Sequence, residues 1–192
     1  MPFTPSDSSM TTQPVPSSES PSVPATDVIW CVFESMGHSY VIDLDAVVEV
    51  RIVERLLRLP DPPGYVIGLI MLRRDLIPVL TPDSEPDSPP PQVEPGASVL
   101  VLRSEDHFWG VVVKEGSVRV VKDQHMWIPS EESWPDDPTA ARVPGFDGWI
   151  VINGHPHRRL DPAKARLKLR AAIKEDYSRS SAVSRETVSD EQ

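Results

Sequence analysis

Residues 59–80, with the sequence LPDPPGYVIGLIMLRRDLIPVL, decide the fold of this chain. A Pro-rich turn leads into an apolar run that opens at Tyr65, a charged tip follows at 73–75, and a second apolar run returns. Proline cannot donate a hydrogen bond to a sheet, so the turn ends whatever precedes it. Gly68 inside the first run indicates a close backbone approach or a bend, because no side chain is wanted there. The stretch predicts two antiparallel strands joined by a hairpin with Arg73 at its tip.

The length and charge of the chain limit the classes of function. Its 192 residues suit one domain, or two small halves that share a core. A net charge of -10 argues against binding to a phosphate backbone, which needs clustered Lys and Arg. The single cysteine, Cys31, excludes an internal disulfide and a multi-cysteine metal cluster. No apolar run reaches the about 18 residues of a membrane-spanning helix, and the N-terminus lacks a signal core, so a cytoplasmic protein is predicted.

Composition divides the chain into segments. Residues 1–26 are rich in Ser, Thr and Pro and have too few apolar side chains to offset the entropy of ordering. Residues 81–96 hold six prolines and four acidic residues, which is typical of a solvated loop. The predicted organisation is a disordered tail (1–26), a domain (27–177) with halves of about 27–80 and 97–161, an acidic Pro-rich loop (81–96) and a C-terminal helix (162–177), and a second disordered tail (178–192).

The two halves begin alike. The first starts VIWCVFESMGHSYVIDL and the second starts ASVLVLRSEDHFWGVVV. When Val32 is aligned with Val101, His38 also meets His107. Each segment has the pattern of two strands around a tight turn. An internal duplication explains the likeness, and two unrelated hairpins in one sandwich are the alternative.

Local signals place the last elements. Asn153-Gly154, between predicted strands at Gly148–Ile152 and His157–Leu160, is a strong hairpin signal. Asp161-Pro162 predicts a helix start, with Asp as the N-cap and Pro in the first helical position. Leu169, Ile173 and Tyr177 would share one face of that helix, which we expect to pack on a barrel.

Residues that could carry chemistry are sparse. His155 and His157 would share one face of a strand, but no cysteine is near, so a solvent-facing pair is favoured over a metal site. Cys31 lies among apolar residues and is predicted to be a core side chain. No Gly-x-Ser-x-Gly elbow and no phosphate-binding Gly-rich loop occurs. We expect no metal, no cofactor and no enzymatic activity; the alternative is an active site assembled from residues distant in sequence.

The order of features in 59–80 resembles the CheW-like family. The family signature is a Pro-containing turn, a Gly, a Leu-Arg pair at a hairpin tip and then Pro-Val. A second element, Val-x-Glu-Val, precedes it in the family. The resemblance runs from about Val28 to Leu160 and is densest across 39–80. In this sequence the matching residues are Pro63, Gly68, Leu72-Arg73, Pro78-Val79 and Val47-Val48-Glu49-Val50.

The resemblance implies both a fold and a role. The implied fold is all-β, with two five-stranded SH3-like barrels sharing a core and a C-terminal helix. The implied role is a non-enzymatic adaptor, without a cofactor, that couples the signalling tip of a methyl-accepting chemoreceptor to the regulatory domain of a CheA-type histidine kinase. The receptor groove would include Val47, Glu49, Gly68 and Arg73. The alternatives are a CheW-like scaffold in a non-chemotactic system and a small-molecule sensor that uses the groove between the barrels.

The hairpin tip departs from the family pattern. The family's Asn-Leu-Arg-Gly is Met71-Leu72-Arg73-Arg74 here, so the glycine is lost. If that position needs a positive φ, Arg74 is strained or the turn is remodelled. Taken alone, the two arginines would only end strands and add solubility. The resemblance favours Arg73 as a partner contact, because a guanidinium binds carboxylates in a bidentate manner.

Overall fold

The computed structural model describes most of the predicted domain. The described residues are 28–60, 62, 65–82, 91–93, 96–122, 125–129, 137, 139–171 and 174. The two predicted tails, and most of the predicted acidic loop, lie outside them.

The described residues are mainly strands, as predicted. Two 3-10 turns and one C-terminal helix, α1, accompany them, which confirms an all-β class with a C-terminal helix. The hairpin predicted from residues 59–80 is the pair β4 and β5, and the Asn-Gly signal joins β10 and β11. The bounds are β1 (Trp30–Ser35), β2 (His38–Asp43), a 3-10 turn (Leu44–Ala46), β3 (Val47–Ile52), β4 (Val66–Leu72), β5 (Asp75–Leu80), β6 (Ser98–Ser104), β7 (His107–Val113), β8 (Arg119–Val121), β9 (His125–Pro129), a 3-10 turn (Ala140–Arg142), β10 (Phe146–Ile152), β11 (His155–Leu160) and α1, described over 162–171 and at 174.

The strands form two sheets that both draw on the two halves of the chain. Sheet A has the order β8-β1-β2-β11-β10-β9, and sheet B has the order β3-β6-β7-β5-β4. The first hairpin of each half, β1–β2 or β6–β7, therefore belongs to the sheet of the other half. We call it the lent hairpin, and we call the hairpin that it joins, β10–β11 or β4–β5, the host hairpin. Two parallel pairings, β2 with β11 and β5 with β7, join the lent hairpins to their host strands. Neither 27–80 nor 97–161 forms a sheet by itself.

The two sheets repeat one arrangement. In each, a lent hairpin lies between an edge strand on one side, β8 or β3, and a host hairpin on the other. Sheet A adds β9 beside β10, and sheet B has a single bridge, Leu57 to Leu69, at the corresponding place beside β4. This equivalence supports internal duplication over two unrelated hairpins.

The core has three parts. One cluster lies inside sheet A, around Val41 and Ile150, and another inside sheet B, around Ile70 and Val101. The largest cluster combines side chains from both sheets with two from the helix, so the sheets share a core as the resemblance implied. Its largest members include Phe33, Tyr40, Leu100, Leu102, Trp109 and Leu169.

The hairpin tips use left-handed backbone conformations. Positive φ angles occur at Met36 (48°), Arg73 (56°), Glu105 (55°) and Asn153 (51°). The position of the family's glycine, Arg74, therefore does not need a positive φ here: the left-handed residue of that tip is Arg73. A side chain other than Gly, Asn or Asp is uncommon in this region, so the tip holds Arg73 at some cost in strain.

The helix begins and packs as its sequence predicts. The Asp161 carboxylate accepts hydrogen bonds from the backbone N–H groups of Ala163 and Lys164, at 2.8 and 3.1 Å, which confirms it as the N-cap. Ala165 and Leu169 are buried against the barrels. The other two residues of the predicted helical face, Ile173 and Tyr177, lie outside the described residues.

Candidate functional site

Strands β3 and β4 are the two edges of sheet B, and a hydrogen bond brings these edges together. The Arg51 Nη1 donates to the carbonyl oxygen of Met71 at 2.9 Å. Just beyond β3, Leu57 also forms a backbone bridge to Leu69 on β4, and the two contacts together join the edges of sheet B. We call the place where β3 meets β4 the β3–β4 seam.

Three of the four predicted site residues lie toward one end of the β3–β4 seam. The pairings through β6, β7 and β5 make β3 and β4 antiparallel. Because Arg51 meets Met71, residues before Arg51 and after Met71 lie toward the same end. Glu49 is two residues before Arg51 and Arg73 is two residues after Met71, with Val47 further along β3. Glu49 and Arg73 are exposed, and Val47 is half-buried.

The fourth predicted site residue, Gly68, is inside the barrel wall. It is buried, and it follows a β-bulge in β4 with a φ of 150°. A Cβ atom on it would lie 2.5 Å from the carbonyl oxygen of Leu57. The prediction of a close backbone approach is confirmed. Gly68 therefore shapes the wall beside the seam and offers no surface to a partner.

An exposed apolar row on β3 was missed by the sequence interpretation. Val48, Val50 and Ile52 alternate with Glu49 and Arg51 and are all exposed, Ile52 by 70%. In sequence this alternation is the ordinary pattern of a strand with one face in a core. Here the apolar face points outward, which large apolar patches do mainly at interaction sites.

The apolar row continues across the β3–β4 seam. Met71 on β4 is 53% exposed, and its cross-strand neighbour Leu76 on β5 is also exposed. Charged side chains border the row, and Glu49 pairs with Arg51 at 3.4 Å. The surface is thus apolar along its middle and charged along its edge. This is the anatomy of a protein-binding patch.

Sheet A has a corresponding surface. Its edge strands are β8 and β9, and the rings of Trp30 and His125 meet edge-to-face with centroids 5.1 Å apart, which brings β9 close to β1 and β8. Val120 on β8 and Met126 on β9 are exposed, and they lie on the same face of sheet A because their paired residues Cys31 and Val151 do. We call these two residues the sheet A patch. Trp127 is also exposed, by 54%, but it lies on the opposite face of β9.

The buried ionisable groups serve the structure. Arg158 is 1% exposed; its Nε and Nη2 donate to the two carboxylate oxygens of Asp137 at 2.8 and 2.7 Å, and its Nη1 donates to the Tyr40 hydroxyl at 3.0 Å. Burial works to raise the pKa of Asp137, but hydrogen bonds from Thr139 and Arg158 and the charge of Arg158 outweigh it, so that pKa is lowered. These groups satisfy one another's hydrogen bonds and hold β11 against the segment at Asp137 and Thr139.

The histidine pair does not face solvent as a pair. His155 is exposed, but His157 is buried and its Nδ1 lies 2.7 Å from the Ser39 hydroxyl oxygen, so the solvent-facing prediction is wrong for His157. The reason is its place on β11, which is an inner strand beside β2. Burial, followed by the charges of Arg119 and His155, lowers the pKa of His157. Within the part of the chain that the structure describes, no group of three His, Cys, Asp or Glu residues could hold a metal ion.

Cys31 is a core residue, as predicted. It is 1% exposed in β1, and burial raises the pKa of its thiol to about 11. A thiol in this state is not a nucleophile at neutral pH.

No helix among the described residues has the length and apolar character needed to cross a bilayer.

Comparisons with known proteins show the fold from a solved structure and the family from a family model. No curated protein matches the sequence. The crystal structure of the scaffolding protein TtCheW from Thermoanaerobacter tengcongensis matches with a TM-score of 0.54 and 16% identity, covering 71% of this chain and 90% of that one. This likeness confirms the predicted fold class of two SH3-like barrels with a shared core, although sheet A here has six strands. The model of the family described as CheW-like domain matches residues 30–164, more than half of the sequence, and the chain therefore belongs to the CheW-like domain family.

Proposed function

We propose that this protein is a non-enzymatic, cytoplasmic signalling adaptor that couples a methyl-accepting chemoreceptor to a CheA-type histidine kinase. Membership of the CheW-like family and the likeness to a protein described as scaffolding support a scaffold role. The observation that carries the proposal is the exposed apolar row of Val48, Val50 and Ile52 beside Arg73.

The apolar row has dimensions that suit a helical partner. Alternate side chains on a strand are about 6.7 Å apart. Successive turns of a helix are about 5.4 Å apart, so a ridge of apolar side chains on a helix can contact Val48, Val50 and Ile52 in turn. Met71 extends the contact across the seam. The cytoplasmic tip of a chemoreceptor, as a helical hairpin, would present such a ridge.

Arg73 would add polar contacts at one end of the apolar row. It stands exposed at the tip of the β4–β5 hairpin, and Glu49 lies toward the same end of the seam. A guanidinium can bind a partner carboxylate or carbonyl in a bidentate manner, and Glu49 can accept from a partner donor. Arg51 is already engaged with Met71 and Glu49 and would mainly hold the seam closed.

The kinase would use a different surface. The sheet A patch occupies the place in sheet A that the apolar row occupies in sheet B. A regulatory domain built from the same kind of barrels could place its own edge against Val120 and Met126. Two surfaces on opposite sheets would let one chain hold receptor and kinase together.

Reversal of the charge at the hairpin tip tests the receptor surface. Arg73→Glu should weaken binding to the cognate receptor's cytoplasmic tip about 30-fold, or about 2 kcal/mol, if the guanidinium is paired and desolvated in the complex. Arg74→Glu is the matched control, because it makes the same charge change one residue further along. Isothermal titration calorimetry would measure both, and circular dichroism would check that the fold is unchanged. Equal losses from the two variants would indicate general electrostatics, and no loss from Arg73→Glu would move the interface elsewhere.

A further inference from the structure

Each lent hairpin is joined to its host hairpin by a parallel junction, β2 with β11 in sheet A and β7 with β5 in sheet B. Arg159 pairs with Val41 at the first junction, and Val79 pairs with Gly110 at the second. The alignment of the two halves places Val41 over Gly110, so the two junctions correspond residue by residue. The register of each junction is only two residue pairs long, so side-chain contacts must help to hold each hairpin in place.

The side chains that bridge the two junctions differ in chemistry. In sheet A the Ser39 Oγ lies 2.7 Å from the His157 Nδ1, and the Tyr40 hydroxyl accepts from Arg158 at 3.0 Å. The corresponding places in sheet B carry apolar or aromatic side chains, namely Phe108, Ile77, Trp109 and Pro78. A junction of this fold therefore forms without a polar bridge, and only the bridge in sheet A contains a histidine.

His157 is poorly placed to carry a charge while the junction is closed. It is 4% exposed on an inner strand, so a proton on its ring would create a charge without water around it. Burial first, and then the charges of Arg119 and His155, hold the pKa of His157 below its usual range. The Ser39 hydroxyl can donate to the neutral ring or accept from the protonated one, so this hydrogen bond does not prevent protonation.

The charged groups around His157 do not offset such a proton. The strands of sheet A hold three carboxylates, and each already has a partner: Glu34 is paired with Lys114, Asp43 accepts from the backbone N–H of Asp45, and Asp147 is held by Arg159 and Lys164. The ionisable side chains that these strands place on the same face as His157 are otherwise basic: Arg119 on β8, His125 on β9, and His155 and Arg159 on β11.

We propose that the Ser39–His157 contact is a pH-sensitive switch: protonation of His157 in mildly acidic solution separates β2 from β11 and frees the β1–β2 hairpin, while the junction of sheet B stays closed. Separation lets water reach the ring, because β2 covers His157 along one side of β11. Since β8 pairs with β1, the opening would also displace Val120 and weaken binding of a partner at the sheet A patch. Only this last consequence rests on the function proposed above.

Cys31 makes the switch measurable in the full chain. It is the single cysteine, and it is 1% exposed in β1. Its labelling by a pyridyl disulfide would be followed at pH 7.5 and 5.5, each rate divided into that of the urea-unfolded chain at the same pH. This protection of Cys31 should fall about tenfold, because pH 5.5 is about one unit below the ordinary pKa of histidine. Amide hydrogen exchange, corrected in the same way, should show a loss of protection in β1–β2 but not in β6–β7.

Two matched variants assign the effect to His157. His157→Gln can still bond to Ser39 but cannot be protonated in this range, so Cys31 should stay protected at pH 5.5. His155→Gln makes the same change at an exposed position of the same strand, and it should still lose protection.

Three results would overturn the proposal. They are equal protection of Cys31 at the two pH values, equal losses of protection in β1–β2 and β6–β7, and a loss in His157→Gln as large as in the native chain. If His157→Gln did not fold, the comparison of the two hairpins in the native chain would decide alone.

Discussion

Gly68 and Gly148 occupy equivalent positions in the two sheets, and each lies at a β-bulge with a positive φ, 150° and 136° respectively. Gly68 is in β4 and Gly148 in β10, the first strands of the two host hairpins. A bulge bends a strand and increases its twist, which each sheet needs in order to curve around its core. Glycine is used at both places because side chains rarely adopt these angles.

Gly68→Ala should destabilise the protein by about 3 kcal/mol, through backbone strain together with overpacking. Its new Cβ would lie 2.5 Å from the Leu57 carbonyl oxygen and 2.9 Å from a Leu56 side-chain carbon. Gly116→Ala is the matched control, because its φ of 70° is also positive but no atom lies within 4 Å of the new Cβ. The control should cost about 1 kcal/mol. Urea denaturation measures both; equal costs would show that the close approach to Leu57 contributes nothing.

The buried pair of Arg158 and Asp137 should respond asymmetrically to substitution. Asp137→Asn leaves a 1% exposed guanidinium without its counter-charge, and should cost about 3 kcal/mol or more. Arg158→Met leaves a carboxylate that is 17% exposed and can be hydrated, so we expect about half that cost. The double variant should be more stable than Asp137→Asn alone, since no unpaired buried charge remains. Additive losses in chemical denaturation would contradict this account.

The pKa of His157 makes stability depend on pH in mildly acidic solution. Because burial lowers this pKa in the folded protein, the unfolded chain takes up the proton first as pH falls below about 6.5. The contribution of His157 is therefore complete above that pH and is lost progressively below it. The lowered pKa of Asp137 acts in the same direction but only below about 4.

Urea denaturation of the native protein and of His157→Gln between pH 7.5 and 5 would test this pH dependence. Glutamine can keep a hydrogen bond to Ser39 but does not titrate. The variant should lose less stability across this range than the native protein. Parallel losses would assign the pH dependence to other groups.

Local chemistry made much of the fold predictable. The hairpin of β4 and β5, the N-cap at Asp161 and the buried Cys31 all follow from neighbours in sequence: turn residues, a capping carboxylate and an apolar run. The close approach at Gly68 was also predictable, because a glycine weakens the interior of a strand and is typical of a bulge or a close backbone contact.

Three features could not be predicted because they depend on distant parts of the chain. Alternation in Val48, Val50 and Ile52 shows that β3 has an apolar face, but it does not show whether anything covers that face. Similarly, the pattern of β1 and β2 predicts a hairpin without naming its neighbours. Their neighbours, β8 and β11, belong to the other half of the sequence. For the same reason the burial of His157 depends on its neighbour β2, which its own sequence context does not reveal.

The exchange of hairpins predicts how the protein behaves when it is divided. A cut between Ser88 and Pro89 would give fragments 1–88 and 89–192, and each would lack strands that its sheets need. Each fragment alone should show an unfolded circular dichroism spectrum, because β1 and β2 would have lost β8 and β11 as neighbours, and β6 and β7 would have lost β3 and β5. Mixed at equal concentrations, the fragments should associate one to one and recover the native spectrum. An intact chain with residues 83–94 replaced by a Gly-Ser linker is the control and should fold, since closure entropy changes slowly with loop length. A fragment that folds alone with native-like stability would show that one half can build its own barrel and that the exchange is dispensable.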